Sequence, residues 1–125
     1  MLRECYRVLE PGGRIAGYVI HTPNGLSAGD KQRAAELGPS EVAAAAPPEG
    51  LMKSAGFSVI RQEDVTAGFR TTCQAILRER SKLEDALRIE EGPEVYEEEQ
   101  QKKRSMLEGV DEGLLLRSLI IAAKP

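Results

Sequence analysis

A chain of 125 residues can bury one modest core, and three Tyr, two Phe and no Trp leave Leu, Ile, Val and Ala to fill it. Seventeen basic and 20 acidic residues give a net charge of −3, without the Lys/Arg clustering that a nucleic-acid partner requires. The longest apolar runs, Leu114–Leu116 and Leu119–Ala123, are too short to cross a bilayer, and no cationic leader precedes a cleavage site. The expectation is therefore a cytoplasmic protein with neither a membrane nor a nucleic acid as partner.

Leu2, Cys5, Tyr6 and Leu9 recur at helical spacing and predict a helix over Leu2–Glu10. Pro11 stops it, Gly12-Gly13 allow the chain to reverse, and Arg14–His21 follows as a strand. That strand is apolar on both faces near its middle, which suits a sheet covered by layers on both sides; Tyr18 reads as a packing residue. In the Gly-, Ala- and Pro-rich stretch from Thr22 to Pro48 a short helix is expected over Asp30–Leu37, capped by Asp30 and closed by Gly38. A second helical piece is expected after Ser40, before Pro47-Pro48.

Glu49–Ala55 reads as a helix ended by Gly56, with Phe57 folding back on its last turn. Ser58–Val65 is a strand whose Arg61-Gln-Glu-Asp64 run suits a sheet edge. Thr66 then caps a longer helix, with Phe69, Cys73, Ile76, Leu83 and Leu87 on one stripe that only Arg80 interrupts. Gly92-Pro93 separates it from a helix over Glu94–Glu108, where Glu98/Lys102 and Glu99/Lys103 stand in the favourable order on a solvated face. Gly109 and Gly113 lead into a strongly apolar last strand, Leu114–Ala123. Cys5 and Cys73 read as buried reduced thiols, and one His with two distant Cys gives no metal site.

Arg7-Val-Leu-Glu-Pro-Gly-Gly13 resembles the R-V-L-x-P-G-G passage of class I S-adenosylmethionine-dependent methyltransferases, which leads into the fifth strand of that fold. Met52-Lys-Ser-Ala-Gly-Phe57 is similar to the family's next helix end, L-x-x-A-G-F, with Met52 in place of the leucine. Ser58–Thr66 and Ser118–Pro125 resemble strands six and seven, and these matches follow one another in the family's order. The nearest subgroup is that of enzymes methylating quinones, sterols and related metabolites.

The resemblance implies an α/β fold, a partial Rossmann-like sheet in which strand seven lies antiparallel between parallel strands five and six. It further implies one domain over 1–125 with a lid-like helical insertion over 66–113. The family grips S-adenosylmethionine with a Gly-rich loop after its first strand and an acidic residue after its second. Gly12-Gly13 precedes a strand instead, so the chain is expected to be the C-terminal half of such an enzyme, inactive and without cofactor grip by itself. Its expected partners are a small-molecule methyl acceptor and either a second copy or a separately encoded N-terminal half, paired along the free edge of Arg14–His21.

Ligands of open α/β sheets bind beyond the carboxyl ends of the strands. His21, Thr22 and Asn24 form a polar cluster there, and His21 is placed to act as a base or to anchor the following loop. Phe69 and Arg70, just past the second strand, are the other substrate-side candidates.

Overall fold

The computed structural model describes residues 1–39, 42 and 46–125. In chain order the elements are α1 (Leu2–Val8), β1 (Arg14–His21), α2 (Ala28–Leu37), α3 (Pro48–Ser54), β2 (Ser58–Asp64), α4 (Thr66–Lys82), α5 (Glu84–Glu91), α6 (Pro93–Asp111) and β3 (Leu116–Ala123). The helical piece expected after Ser40 lies outside the described residues.

The sheet runs in the order β1-β3-β2, with β3 antiparallel to both neighbours. β1 and β2 are therefore parallel to each other, and the most apolar strand lies in the middle, where burial on both sides favours apolar side chains. The polar strand β2 is an edge, as its composition suggests.

Local chemistry explains where these elements stop. Leu9 is extended after α1, and Gly12 adopts φ +82°, a region open to glycine, so that its N–H reaches the carbonyl of Lys124 at 2.7 Å. Lys124 answers from the end of β3. Its ammonium donates to the carbonyls of Tyr6 (2.8 Å) and Leu9 (2.9 Å), groups that the end of α1 leaves without helical partners. The Lys-Pro ending thus ties the last strand to the first helix.

After α3, the N–H of Phe57 bonds the Met52 carbonyl (3.1 Å) and that of Gly56 bonds Lys53 (3.0 Å), with Gly56 at φ +102°. This pair of bonds is the Schellman ending, and it turns Phe57 inward against the edge of the Tyr6 ring, 5.2 Å away.

Two caps differ from the sequence reading. Asp30 does not cap α2: the hydroxyl of Ser27 accepts from the Asp30 N–H at 3.1 Å, one turn earlier than expected. Thr66 does not cap α4 either; the Asp64 carboxylate accepts the Thr66 N–H at 2.8 Å. In both cases two polar residues compete for the same orphan N–H groups, and composition alone does not rank them.

The expected single helix from Thr66 to Gly92 is two, broken at Leu83. Arg80, the residue that interrupts the apolar stripe, staples the break. It donates to both Glu91 oxygens (3.0 and 2.8 Å) and to Oε1 of the buried Gln100 (2.9 Å), with Tyr96 below the guanidinium. Gly109 falls inside α6 rather than after it, and the last strand starts at Leu116, since Leu114 and Leu115 fold back to bond the Gly109 carbonyl. On α6, Lys102 pairs with Glu99 at 3.1 Å and more loosely with Glu98 at 3.9 Å.

Side chains alternate across the sheet, so each face carries its own chemistry. On one face Ile120 and Ala122 of β3 pack with Met52 and Phe57 and with Leu2, Cys5, Tyr6 and Leu9, under α1 and α3. A second cluster of Ala34, Leu37, Val42, Leu114 and Leu115 joins α2 and the end of α6 to the start of β3. Among the described residues the opposite face lacks such a layer at β1: Ala16 is exposed, and Tyr18, paired with Leu119, is 60% exposed. The expectation that β1 is covered on both sides, with Tyr18 in the packing, is corrected accordingly. Apolar residues on both faces of a strand record what the strand can be buried against, not what the described residues provide. Cys73 is buried and Cys5 half-buried, both reduced, and no helix among the described residues is long and apolar enough to cross a membrane.

Acid should loosen this structure. The carboxyls of Glu91, Asp111 and Asp64 are held below the usual carboxylate range by Arg80, Arg70 and Thr66 respectively, each chiefly through a side-chain hydrogen bond. A folded-state pKa below the unfolded value gives stability that is present above the unfolded pKa and lost as pH falls through the folded one. Thermal melts should show a plateau from neutral pH down to about 5, then a falling midpoint below about pH 4, where unfolded carboxyls take up protons. A flat profile to pH 3 would contradict these assignments.

Candidate functional site

The carboxyl ends of the parallel strands β1 and β2 and the start of β3 meet at one end of the sheet. His21, the last residue of β1, is half-buried there, with both ring nitrogens engaged. Nδ1 lies 3.2 Å from the Thr22 carbonyl, which can only accept, so this nitrogen carries the proton. Nε2 lies 2.8 Å from the Ser118 hydroxyl, which donates to it while the ring is neutral. Ser118 is itself buried in β3. The imidazole therefore pins the chain as it leaves β1, and its second nitrogen reaches a ligand only if the Ser118 hydroxyl turns away.

His21, Thr22 and Asn24 line one small cleft of about 160 Å³ with Pro23, Gly25 and Lys31. The structure thus brings these three candidates together. Asp64, across β3 in register with Ser118, has its carboxylate kept low by the Thr66 hydroxyl, then its N–H, with a smaller contribution from the charge of His21. Thr66 also accepts from the Arg117 N–H at 3.0 Å, locking the start of α4 to β3.

Phe69 and Arg70 are adjacent in sequence but do different things. Phe69 is buried on the side of α4 that faces the sheet, where the guanidinium of Arg117 lies 5.0 Å from its ring centre. Arg70 turns to α6 and binds the Asp111 carboxylate at 2.6 Å, which raises the pKa of the arginine and ties the two helices together. The candidates therefore divide between a cleft after β1 (His21, Thr22, Asn24), a wall at the foot of α4 (Phe69) and a helix-to-helix strut (Arg70).

Sequence reasoning missed Ser118, Arg117, Asp64 and Tyr18. For the first two a signal exists: Arg117-Ser118 is the one polar pair in an otherwise apolar last strand. A polar pair at the buried start of such a strand implies partners at that end of the sheet.

No protein-family model and no curated protein matches the sequence. Solved structures do match. A crystal structure assigned as a sarcosine dimethylglycine methyltransferase of Galdieria sulphuraria superposes with a TM-score of 0.77 at 18% identity, over 98% of this chain and 46% of that one. Phosphoethanolamine N-methyltransferase 2 of Haemonchus contortus, in complex with S-adenosyl-L-methionine, gives 0.73 at 19% identity, over 99% and 29%. The cyclopropane synthase MmaA2 of Mycobacterium tuberculosis gives 0.71 at 14% identity, over 98% and 48%.

The chain has the fold of part of a methyltransferase. It spans less than half the length of each of these three structures. At such identities the likeness establishes the methyltransferase fold and not the reaction. The implied topology, with the last strand antiparallel between two parallel ones, is present.

Proposed function

We propose that this chain forms the acceptor side of an S-adenosylmethionine-dependent methyltransferase acting on a small organic molecule. The observation that carries the reading is β3, inserted antiparallel between parallel β1 and β2, in a chain that superposes almost whole on methyltransferases. One of the matched structures holds S-adenosyl-L-methionine, and another Haemonchus structure holds S-adenosylhomocysteine with phosphomonomethylethanolamine, itself a small organic molecule.

In this reading the cleft after β1 does not hold the cofactor. The connection after β1 carries one glycine with positive φ, Gly25, beside a cleft of about 160 Å³. Cofactor pockets run from about 300 Å³ upward and need several convergent polar groups. The proposal therefore places the cofactor grip outside this chain. The cleft of His21, Thr22 and Asn24 and the wall at Phe69 face the acceptor; His21 is a positioning residue and Arg70 holds the lid of α4 to α6 in place.

The outer edge of β1 supports the same reading. Among the described residues no strand pairs with it, and an apolar concavity of about 410 Å³ runs beside it, lined by Leu2, Tyr18, Val19, Ile20, Leu51 and Met52. The proposed occupant is a further strand from the remainder of a methyltransferase sheet. A non-catalytic module that pairs with a second copy along this edge is the second reading, favoured by the same free strand.

The nucleotide sequence upstream of Met1 tests the proposal. It is expected to encode, in frame, a strand followed by a Gly-x-Gly-x-Gly loop, and the longer product should transfer labelled methyl groups to small acceptors where the 125-residue chain does not. An upstream frame closed by a stop codon, with concentration-dependent dimerisation of the chain, would favour the second reading.

A further inference from the structure

Arg117 is half-buried at the start of β3, on the sheet face that, among the described residues, lacks a helical layer at β1. Its guanidinium carbon lies 4.1 Å from the centre of the Tyr18 ring and 5.0 Å from that of Phe69. Two aromatic rings desolvate the cation on their sides and hold its plane, as a stacked arginine is held. Among the described residues no carboxylate lies within salt-bridge distance of it. Glu63 projects on the same face, but Arg61 occupies it at 2.6 Å; Asp64 receives the Thr66 N–H.

The rings and the guanidinium line a concavity of about 360 Å³ with Val65, Gly68 and Thr72. Gly68 belongs to the first turn of the 17-residue helix α4, whose first N–H, that of Thr66, is already taken by the Asp64 carboxylate, so the anion is left to Arg117. An oriented, partly desolvated cation with no counter-ion among the described residues, in an acidic chain, is a site arranged for an anion.

We propose that this concavity binds the anionic group, carboxylate or phosphomonoester, of a small molecule through the Arg117 guanidinium. The inference rests on the acceptor-side reading above and deepens it: the methyl acceptor carries an anion, and Arg117 reads it. Tyr18 and Phe69 set the plane of the fork, and Gly68 leaves its mouth free of a side chain.

The test is an NMR titration of the ¹⁵N-labelled 125-residue chain with inorganic phosphate and, in a parallel arm, with acetate, at constant ionic strength set by chloride. Saturable shifts at Gly68, Thr72 and Arg117 are expected, and the arm that saturates at lower concentration identifies the anion. Arg117→Gln should weaken binding at least tenfold, and Arg117→Lys less. Tyr18→Leu, a change at an exposed ring, should also weaken it and keeps the test open if Arg117→Gln does not fold. Shifts scattered evenly over surface Lys and Arg, or affinity unchanged in the folded variants, would overturn the proposal. Anion binding by this chain without methyl transfer by the longer product would leave the site standing and overturn the proposed function. Transfer with KM unchanged by Arg117→Gln would do the reverse.

Discussion

Ile120→Ala should lower the unfolding free energy by about 2–5 kcal/mol, the range for emptying a fully buried aliphatic site. Ile120 is 0% exposed in the central strand, opposite Gly17 of β1 and Gln62 of β2, and packs with Met52, Phe57 and Ala122. Neither neighbour in the sheet can reach across to fill the cavity, because glycine has no side chain and glutamine would bring a polar group into it. Urea denaturation with an unchanged slope and a lower midpoint is the expected result. The adjacent Ile121 points to the other face and is only half-buried, so Ile121→Ala should cost clearly less. Equal losses at the two positions would mean that the open face is in fact covered.

Leu115→Ala should cost a similar amount, about 2–5 kcal/mol, and its cost should be partly repaired by a second change. Leu115 is fully buried where α2, α6 and β3 meet, and it fits because two glycines leave room for it. A Cβ at Gly38 would lie 2.9 Å from Leu115 Cδ2, and one at Gly109 would lie 2.7 Å from its Cγ. Gly109→Ala alone should therefore destabilise, by about 1–3 kcal/mol from overpacking, despite alanine's advantage of about 1 kcal/mol in a helix. With Leu115 cut to alanine the clash disappears, and the new methyl group occupies part of the cavity. The double variant Gly109→Ala/Leu115→Ala should then be more stable than Leu115→Ala alone. A double-mutant cycle reads this reversal directly, and strict additivity would contradict the packing described.

That glycine pocket shows where the sequence stops being legible. The strand boundaries of β1 follow from Pro11, Gly12-Gly13 and the apolar run, and the α3 ending follows from Ala55-Gly56-Phe57, because these signals are local. The place of Gly109 inside α6 is not local. A glycine near a helix end reads as a stop, and only the bulk of Leu115 arriving from the following segment makes a glycine inside the last turn of α6 necessary. The caps of α2 and α4 were missed for a related reason, since Ser27 and Asp30, or Asp64 and Thr66, offer the same chemistry within a turn. Arg80 read as an interruption of a stripe, whereas it carries the α4–α5 break by binding Glu91 and Gln100, residues 11 and 20 positions away.

The candidate site divides in the same way. His21, Thr22 and Asn24 are consecutive enough to be placed together by the end of one strand, and they do share a cleft. Arg117 and Tyr18 meet only through the antiparallel register of β1 and β3, which no spacing in the sequence states. Phe69 reaches that group from α4, while Arg70, one residue on, points to Asp111 because successive helical residues differ by about 100° in direction.

The most direct test of the account is an NMR titration of the folded 125-residue chain with S-adenosylmethionine. A dispersed spectrum whose His21, Thr22 and Asn24 signals do not shift saturably is the predicted result. Saturable one-to-one binding at those residues would contradict the placement of the cofactor grip outside this chain.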